Sequence, residues 1–203
     1  MKEVKIHYLL LGANSKLVKV KDQFPISNVT DPMNKSLTLN IYNLSTLMYL
    51  INAFVFCKLF YCSTVWSNTS NENIRKLQLV QNYACRIVTG LKKYDHISEA
   101  LKSLKWLNVK EKLLFNDLVM VYKCMNNLTP DYLRERFKQR SEIHQRDTRQ
   151  KSELALPKCR LATGQRAFAF RGAKIFNSLP KFIRDTETLG SFKRRIFNNI
   201  FCS

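Results

Sequence analysis

The sequence predicts a mainly α-helical, strongly basic domain, with a small β element at its N-terminus and at most one or two short strands in its last third. Three observations lead there. Only 5 Gly and 5 Pro punctuate 203 residues, so long segments run without a backbone breaker. Apolar residues recur at a 3.6-residue period from Asn71 to Thr89 and again from Val109 onward. An apolar content of 45%, with 13 Phe and 8 Tyr, marks a chain that folds around a core. Its length suits one domain or two small ones.

Residues 1–40 are the least regular. Val4–Leu11 reads as a strand and Gly12–Ser15 as a turn, ahead of weak alternation at Val18, Val20 and Phe24. Pro25 and the polar stretch Ser27–Ser36 follow. Ile41–Trp66 is apolar and aromatic. A bilayer span needs about 20 predominantly apolar residues, and Asn43, Ser45, Asn52 and Lys58 interrupt this run. A buried core helix is the expected reading.

The stretch Phe60–Gly90 carries the clearest helix. Ser70 is placed as its N-cap, Glu72 lies in its first turn, and Gly90 follows the last periodic residue as a left-handed cap would. Ile74, Leu77, Val80, Ala84, Ile87 and Val88 share the face expected to be buried. Arg75, Gln78, Asn82 and Arg86 share the face expected to stay wet.

Ser98 starts a short helix through Leu104, which Trp106-Leu107-Asn108 breaks. A long helix from Val109 to Asn126 presents Leu113, Leu114, Leu118, Val121, Tyr122 and Met125 as its apolar face. Asn126-Asn127 and Pro130 end it, and a short helix runs from Asp131 to Phe137. Ser141–Gln150 is a polar loop, and Leu154–Leu156 a strand that Pro157 ends. Gln165–Asn177 is a helix with Phe168, Ala169, Ala173 and Phe176 as its contact face, stopped by Ser178-Leu179-Pro180. The last helix is Phe192–Phe201, capped by Ser191 and carrying Lys193-Arg194-Arg195.

Charge sets the partner class. The net charge is +19, which fits a polyanion, nucleic acid first and an anionic membrane second. Residues 134–203 hold 17 basic against 6 acidic residues, which is +11 of that total. Arg146, Arg149, Lys158, Arg160, Arg166, Arg171 and Lys174 are the candidate phosphate contacts, joined by Arg75 and Arg86 on the wet helix face. Phe168 and Phe170 are interleaved with them. Guanidinium groups bind phosphates through paired donors, and aromatic faces stack unpaired bases.

The chemistry of catalysis is missing. No two acidic residues are adjacent, so no Asp-Asp pair stands ready to hold the two metal ions that phosphoryl transfer uses. His7, His96 and His144 sit in no nucleophile signature, and Gly12 and Gly164 form no phosphate loop. Cysteines at 57, 62, 85, 124, 159 and 202 show no C-x2-C pair, so a zinc site is not expected. Reduced, mostly buried thiols in an intracellular protein of nucleus or cytoplasm are expected instead. The residues thus predict no enzyme, no cofactor, no metal and no small-molecule substrate.

A resemblance adds to this reading. YCSTVWSNTS (Tyr61–Ser70) and KLQLVQNYACRIVTG (Lys76–Gly90) are followed by DHISEALKSLKWLNV (Asp95–Val109) and MVYKCMNNLTPDYL (Met120–Leu133). HQRDTR (His144–Arg149), GQRAFAFRGAKIFNSLP (Gly164–Pro180) and SFKRRI (Ser191–Ile196) come next. In this order and spacing, over Leu44 to Ile196, the chain resembles the region downstream of the polymerase palm in non-LTR (LINE-type, jockey-like) retrotransposon reverse transcriptases. The resemblance implies a truncated, weakly structured palm-edge remnant at 1–40, a helical thumb-like region at 41–137 and a basic C-terminal segment at 138–203. It further implies a fragment of an RNA-directed DNA polymerase that lacks the catalytic palm. Such a fragment binds RNA or DNA non-specifically at most, or is the non-functional relic of a transposable element. Two alternatives come from other classes: a small basic protein anchored in a membrane by 41–66, and a helical interaction module with an acidic partner.

Overall fold

The computed structural model describes residues 43–143 and 150–201. The expected N-terminal strand and turn, Arg146, Arg149 and the HQRDTR run lie outside the described residues. Within them the chain is mainly helical, with no sheet or barrel. Two compact units divide it. One gathers the residues up to Tyr61 with Leu79–Ala100; the other gathers Cys62–Gln78 with the residues from Leu101 onward.

In the first unit, α1 (Leu44–Ile51) passes through a π-helical turn at Asn52–Phe56 into α2 (Cys57–Leu59). The expectation of a buried core helix here is corrected. Among these residues only Ile51 is buried, while Tyr49 is 76% and Phe54 56% exposed. Asn52 and Lys58 interrupt the apolar run, and the helix ends before Cys62, which sits at a left-handed φ of 45°. No helix among the described residues is long and apolar enough to cross a membrane.

The long helix α4 (Asn71–Thr89) begins in the second unit and ends in the first. It starts and stops where the sequence signals it. The Asn73 N–H donates to Ser70 Oγ at 3.4 Å, and Gly90 takes φ +71° while its N–H donates to the Arg86 carbonyl at 2.9 Å. The buried stripe is rotated from the expected one. Gln81, Ala84, Cys85 and Val88 are its buried residues, whereas Ile74, Leu77, Val80 and Ile87 are half-buried. Gln78 also leaves the wet face, because its Oε1 accepts the Val109 N–H at 2.8 Å.

The second unit also holds α3 (Ser63–Trp66), α6 (Val109–Met125), α7 (Asp131–Arg134) and α8 (Arg140–Ile143). Further along come α9 (Ala162–Arg166), α10 (Phe168–Asn177), α11 (Lys181–Arg184) and α12 (Leu189–Phe201). Between α4 and α6 lies α5 (Ser98–Ser103). A reciprocal capping box starts α6: Asn108 Oδ1 accepts the Glu111 N–H and Glu111 Oε2 accepts the Asn108 N–H, both at 2.9 Å.

Helix α6 is the axis on which α3, α10 and α12 pack. Leu118, Val121 and Tyr122 meet Phe137, Leu154, Ala173, Phe176, Ile183, Phe192 and Ile196 in one core. That core takes residues from both sides of position 137. Tyr122 stacks on Phe192 at 4.0 Å between ring centroids, and its hydroxyl donates to the Thr186 carbonyl at 2.6 Å. Close approach fixes Gly172: a Cβ there would lie 2.8 Å from Val121 Cγ2 and 3.3 Å from the Phe137 ring.

Three local expectations change. The strand at Leu154–Leu156 is reduced to a single antiparallel bridge between Gln139 and Leu154. On the other side of Leu154, the side-chain amide of Asn177 bonds both its N–H and its carbonyl, each at 2.9 Å. The helix expected over Gln165–Asn177 breaks at Ala167, whose ψ of 143° separates α9 from α10. Helix α12 begins at Leu189, with Thr188 rather than Ser191 as its cap: Thr188 Oγ1 accepts the Ser191 N–H at 3.3 Å. Threonine serves this role as serine does, and the Leu189-Gly190 pair then fits the first turn.

Candidate nucleic-acid interface

The candidate phosphate contacts fall into two physical groups. Lys158, Arg160, Arg166 and Lys174 are exposed, and no ion pair holds them among the described residues. Three of them flank one turn. Gly164, in the middle of α9, lies so close to Cys159 that a Cβ on it would stand 3.2 Å from Cys159 Sγ. The stretch carrying Lys158 and Arg160 therefore packs beside the helix that carries Arg166. Lys174 stands on the exposed side of α10.

The second group has partners within the chain. Arg75 donates two bonds to Glu72, at 3.0 and 3.1 Å, on the exposed first turn of α4. Arg86 donates from Nε to the Lys92 carbonyl at 3.2 Å. Arg171 is mostly buried. Its Nη2 lies 3.2 Å from Asp117 Oδ2 and donates to Ser67 Oγ at 2.6 Å and to the Thr64 carbonyl at 3.3 Å. Its Nη1 donates to the Arg166 carbonyl at 3.3 Å.

Asp117 was no candidate in the sequence reading, yet it anchors this cluster. Its carboxylate accepts the Ser67 hydroxyl at 2.9 Å and is almost wholly buried. Burial pushes its pKa up to about 6, against the opposing pull of Arg171 and Ser67. The signal was present in the sequence. Asp117 stands four residues after Leu113 and four before Val121, so it shares their buried face.

The aromatic part of the interface shrinks. Phe168 meets Phe137 edge-on at 5.4 Å between centroids and packs against the core, and Phe170 is half-buried. Phe168 is therefore held by protein. The cysteines also differ from expectation. Cys85 and Cys124 are buried with pKa values raised by desolvation, but Cys57 and Cys62 are exposed. No group of three or more His, Cys, Asp or Glu side chains among the described residues is arranged to hold a metal.

No protein-family model, curated protein or solved structure matches this chain.

Proposed function

We propose that the chain binds single-stranded RNA or DNA without sequence preference, through phosphate contacts made by Lys158, Arg160, Arg166 and Lys174. One observation carries this reading: these four cations are exposed and free of acidic partners among the described residues, in a chain of net charge +19. Unneutralised cations displace the counterions condensed on a polyphosphate, which makes binding strong at low salt and indifferent to sequence. Arg171 leaves the proposed set, because its donors face Asp117, Ser67 and main-chain carbonyls. The ordered motifs that resemble the post-palm region of a non-LTR reverse transcriptase support the same partner class. In that reading the domain holds template or target strand and performs no nucleotide transfer itself.

Binding of a labelled oligouridylate, measured across a salt series, tests the proposal. Four phosphate contacts give a slope of log affinity against log salt of about −3. Changing Lys158, Arg160 and Arg166 together to Gln flattens the slope by about 2 and weakens all sequences alike. A folded triple variant with the parental slope overturns the assignment. Purified protein extending a primer would overturn the view that it performs no nucleotide transfer.

A further inference from the structure

We infer that the turn Lys92–Asp95 is a base-stacking point for single-stranded RNA or DNA, with Tyr94 as the platform and Lys93 as a phosphate contact beside it. The inference rests on the proposed nucleic-acid function and deepens it, supplying the aromatic contact that the core-held Phe168 does not.

The turn is fixed by its own backbone. Helix α4 stops at Gly90, and its last turn carries Arg86. The Arg86 Nε donates to the Lys92 carbonyl at 3.2 Å, which roots the following loop on the helix end. The same carbonyl accepts the Asp95 N–H at 3.3 Å, and Asp95 Oδ2 in return accepts the Lys92 N–H at 2.7 Å. Both backbone groups of Lys92 are thus bonded, and Lys93 and Tyr94 are the two central residues of a closed β-turn. All of these residues lie in the Leu79–Ala100 part of the first unit.

This turn holds up an aromatic ring among cations. Tyr94 is 88% exposed, more than any other large apolar side chain among the described residues. A single exposed ring is ordinary on a protein surface. This one stands on a doubly closed turn, with Lys93 Nζ 5.5 Å from its centre. The ammonium takes one face of the ring by cation–π attraction, and the exposure leaves the other face to solvent. Lys92 and Lys93 are both exposed, and no ion pair holds them among the described residues. The one acid of the turn, Asp95, has its carboxylate bonded to the Lys92 N–H. An open π-face with a cation beside it fits a base and its phosphate, and such stacking accepts any base. An acidic protein segment would meet the lysines without covering the ring.

The test compares binding of the full chain to two oligomers of equal length, oligouridylate and an abasic counterpart that keeps every phosphate and lacks bases. Tyr94→Leu should weaken oligouridylate binding by about 5- to 150-fold, the range for one lost stacked base, and leave the abasic oligomer and the salt slope unchanged. Tyr94→Phe should bind like the parent. Lys93→Gln should flatten the salt slope by about 0.7 on both oligomers, the value for one phosphate contact on a single strand. The exposed positions leave the fold intact in all three variants. Parental affinity of the Tyr94→Leu variant for oligouridylate, or equal weakening on both oligomers, overturns the inference. The two sites fail separately. A flattened slope in the Lys158, Arg160, Arg166 triple variant beside an unaffected Tyr94→Leu variant rejects the stacking turn and keeps the first site; the opposite pattern does the reverse. Failure of the parent protein to bind either oligomer overturns both.

Discussion

Arg171 reaches Asp117 across 3.2 Å from the neighbouring helix, at a carboxylate whose side chain is only 5% exposed. The pair ties α10 to α6, and Ser67, bonded to both partners, ties in the turn after α3. Removing one member of a buried ion pair leaves the other desolvated and alone. Arg171→Gln should therefore cost about 3–5 kcal/mol of stability. The double change Asp117→Leu with Arg171→Met should cost less than either single change, as urea unfolding of the three variants would show.

Asp117 also makes stability depend on pH with a definite sign. Its folded pKa of about 6 lies above the value of roughly 3.9 for an unfolded Asp. Between those values the native state binds the proton more tightly, so stability falls as pH rises. The contribution is complete below about pH 4 and lost above about pH 6, amounting to roughly 2–3 kcal/mol at 1.36 kcal/mol per pKa unit. Subtracting the profile of the Leu-Met double variant isolates it from the exposed acids. A difference profile that rises with pH would refute the assignment.

Gly172 and Gly190 form an internal comparison. At Gly172 a methyl group would press on Val121 at 2.8 Å, and both neighbours belong to the packed core. Overpacking of that kind costs about 1–3 kcal/mol, more than the roughly 1 kcal/mol that alanine gains over glycine inside a helix. Gly172→Ala should lower the melting temperature. Gly190→Ala, with nothing within 4 Å, should leave it unchanged or raise it slightly.

On α4 the two faces should respond differently. Ala84 is 4% exposed, and an Asp there would bury a charge with no designed partner. Ala84→Asp should unfold the chain or cost several times more than Arg75→Ala. The latter breaks only a solvent-screened pair with Glu72 and should be nearly silent. Equal melting temperatures for the two variants would contradict the burial pattern.

Asn177→Ala should cost about 2–4 kcal/mol, since it strips bonds from two partly buried main-chain groups of Leu154. Asn177→Asp keeps the acceptor but sets a carboxylate oxygen against the Leu154 carbonyl, so at neutral pH it should unfold no later than the alanine variant.

Helix positions were legible wherever local chemistry sets them. Ser70, Gly90, Asn108 and Pro130 act on their own turns, and the structure ends its helices at those signals. What the sequence did not show is set at a distance. Gln78 looked solvent-facing until Val109, thirty-one residues on, donated to it. Arg171 looked like a phosphate-binding cation, because nothing local shows that another helix brings Asp117, legible as a buried-face acid, up to it. The apolar run Ile41–Trp66 misled in the opposite sense, since composition gives hydrophobicity but not what covers it. Among the candidate contacts, bonds within the chain separated Arg75, Arg86 and Arg171 from Lys158, Arg160, Arg166 and Lys174, and which partners an arginine meets is a property of the fold.

The amide of Asn177 has one more effect. A strand-like segment normally offers an outer edge on which another chain can build. Leu154 offers none, because one edge faces Gln139 and the other is filled by a side chain that has no further backbone to extend. Sheet growth therefore terminates at a single residue. Both backbone groups of Leu154 that a further strand would need are already bonded within the chain.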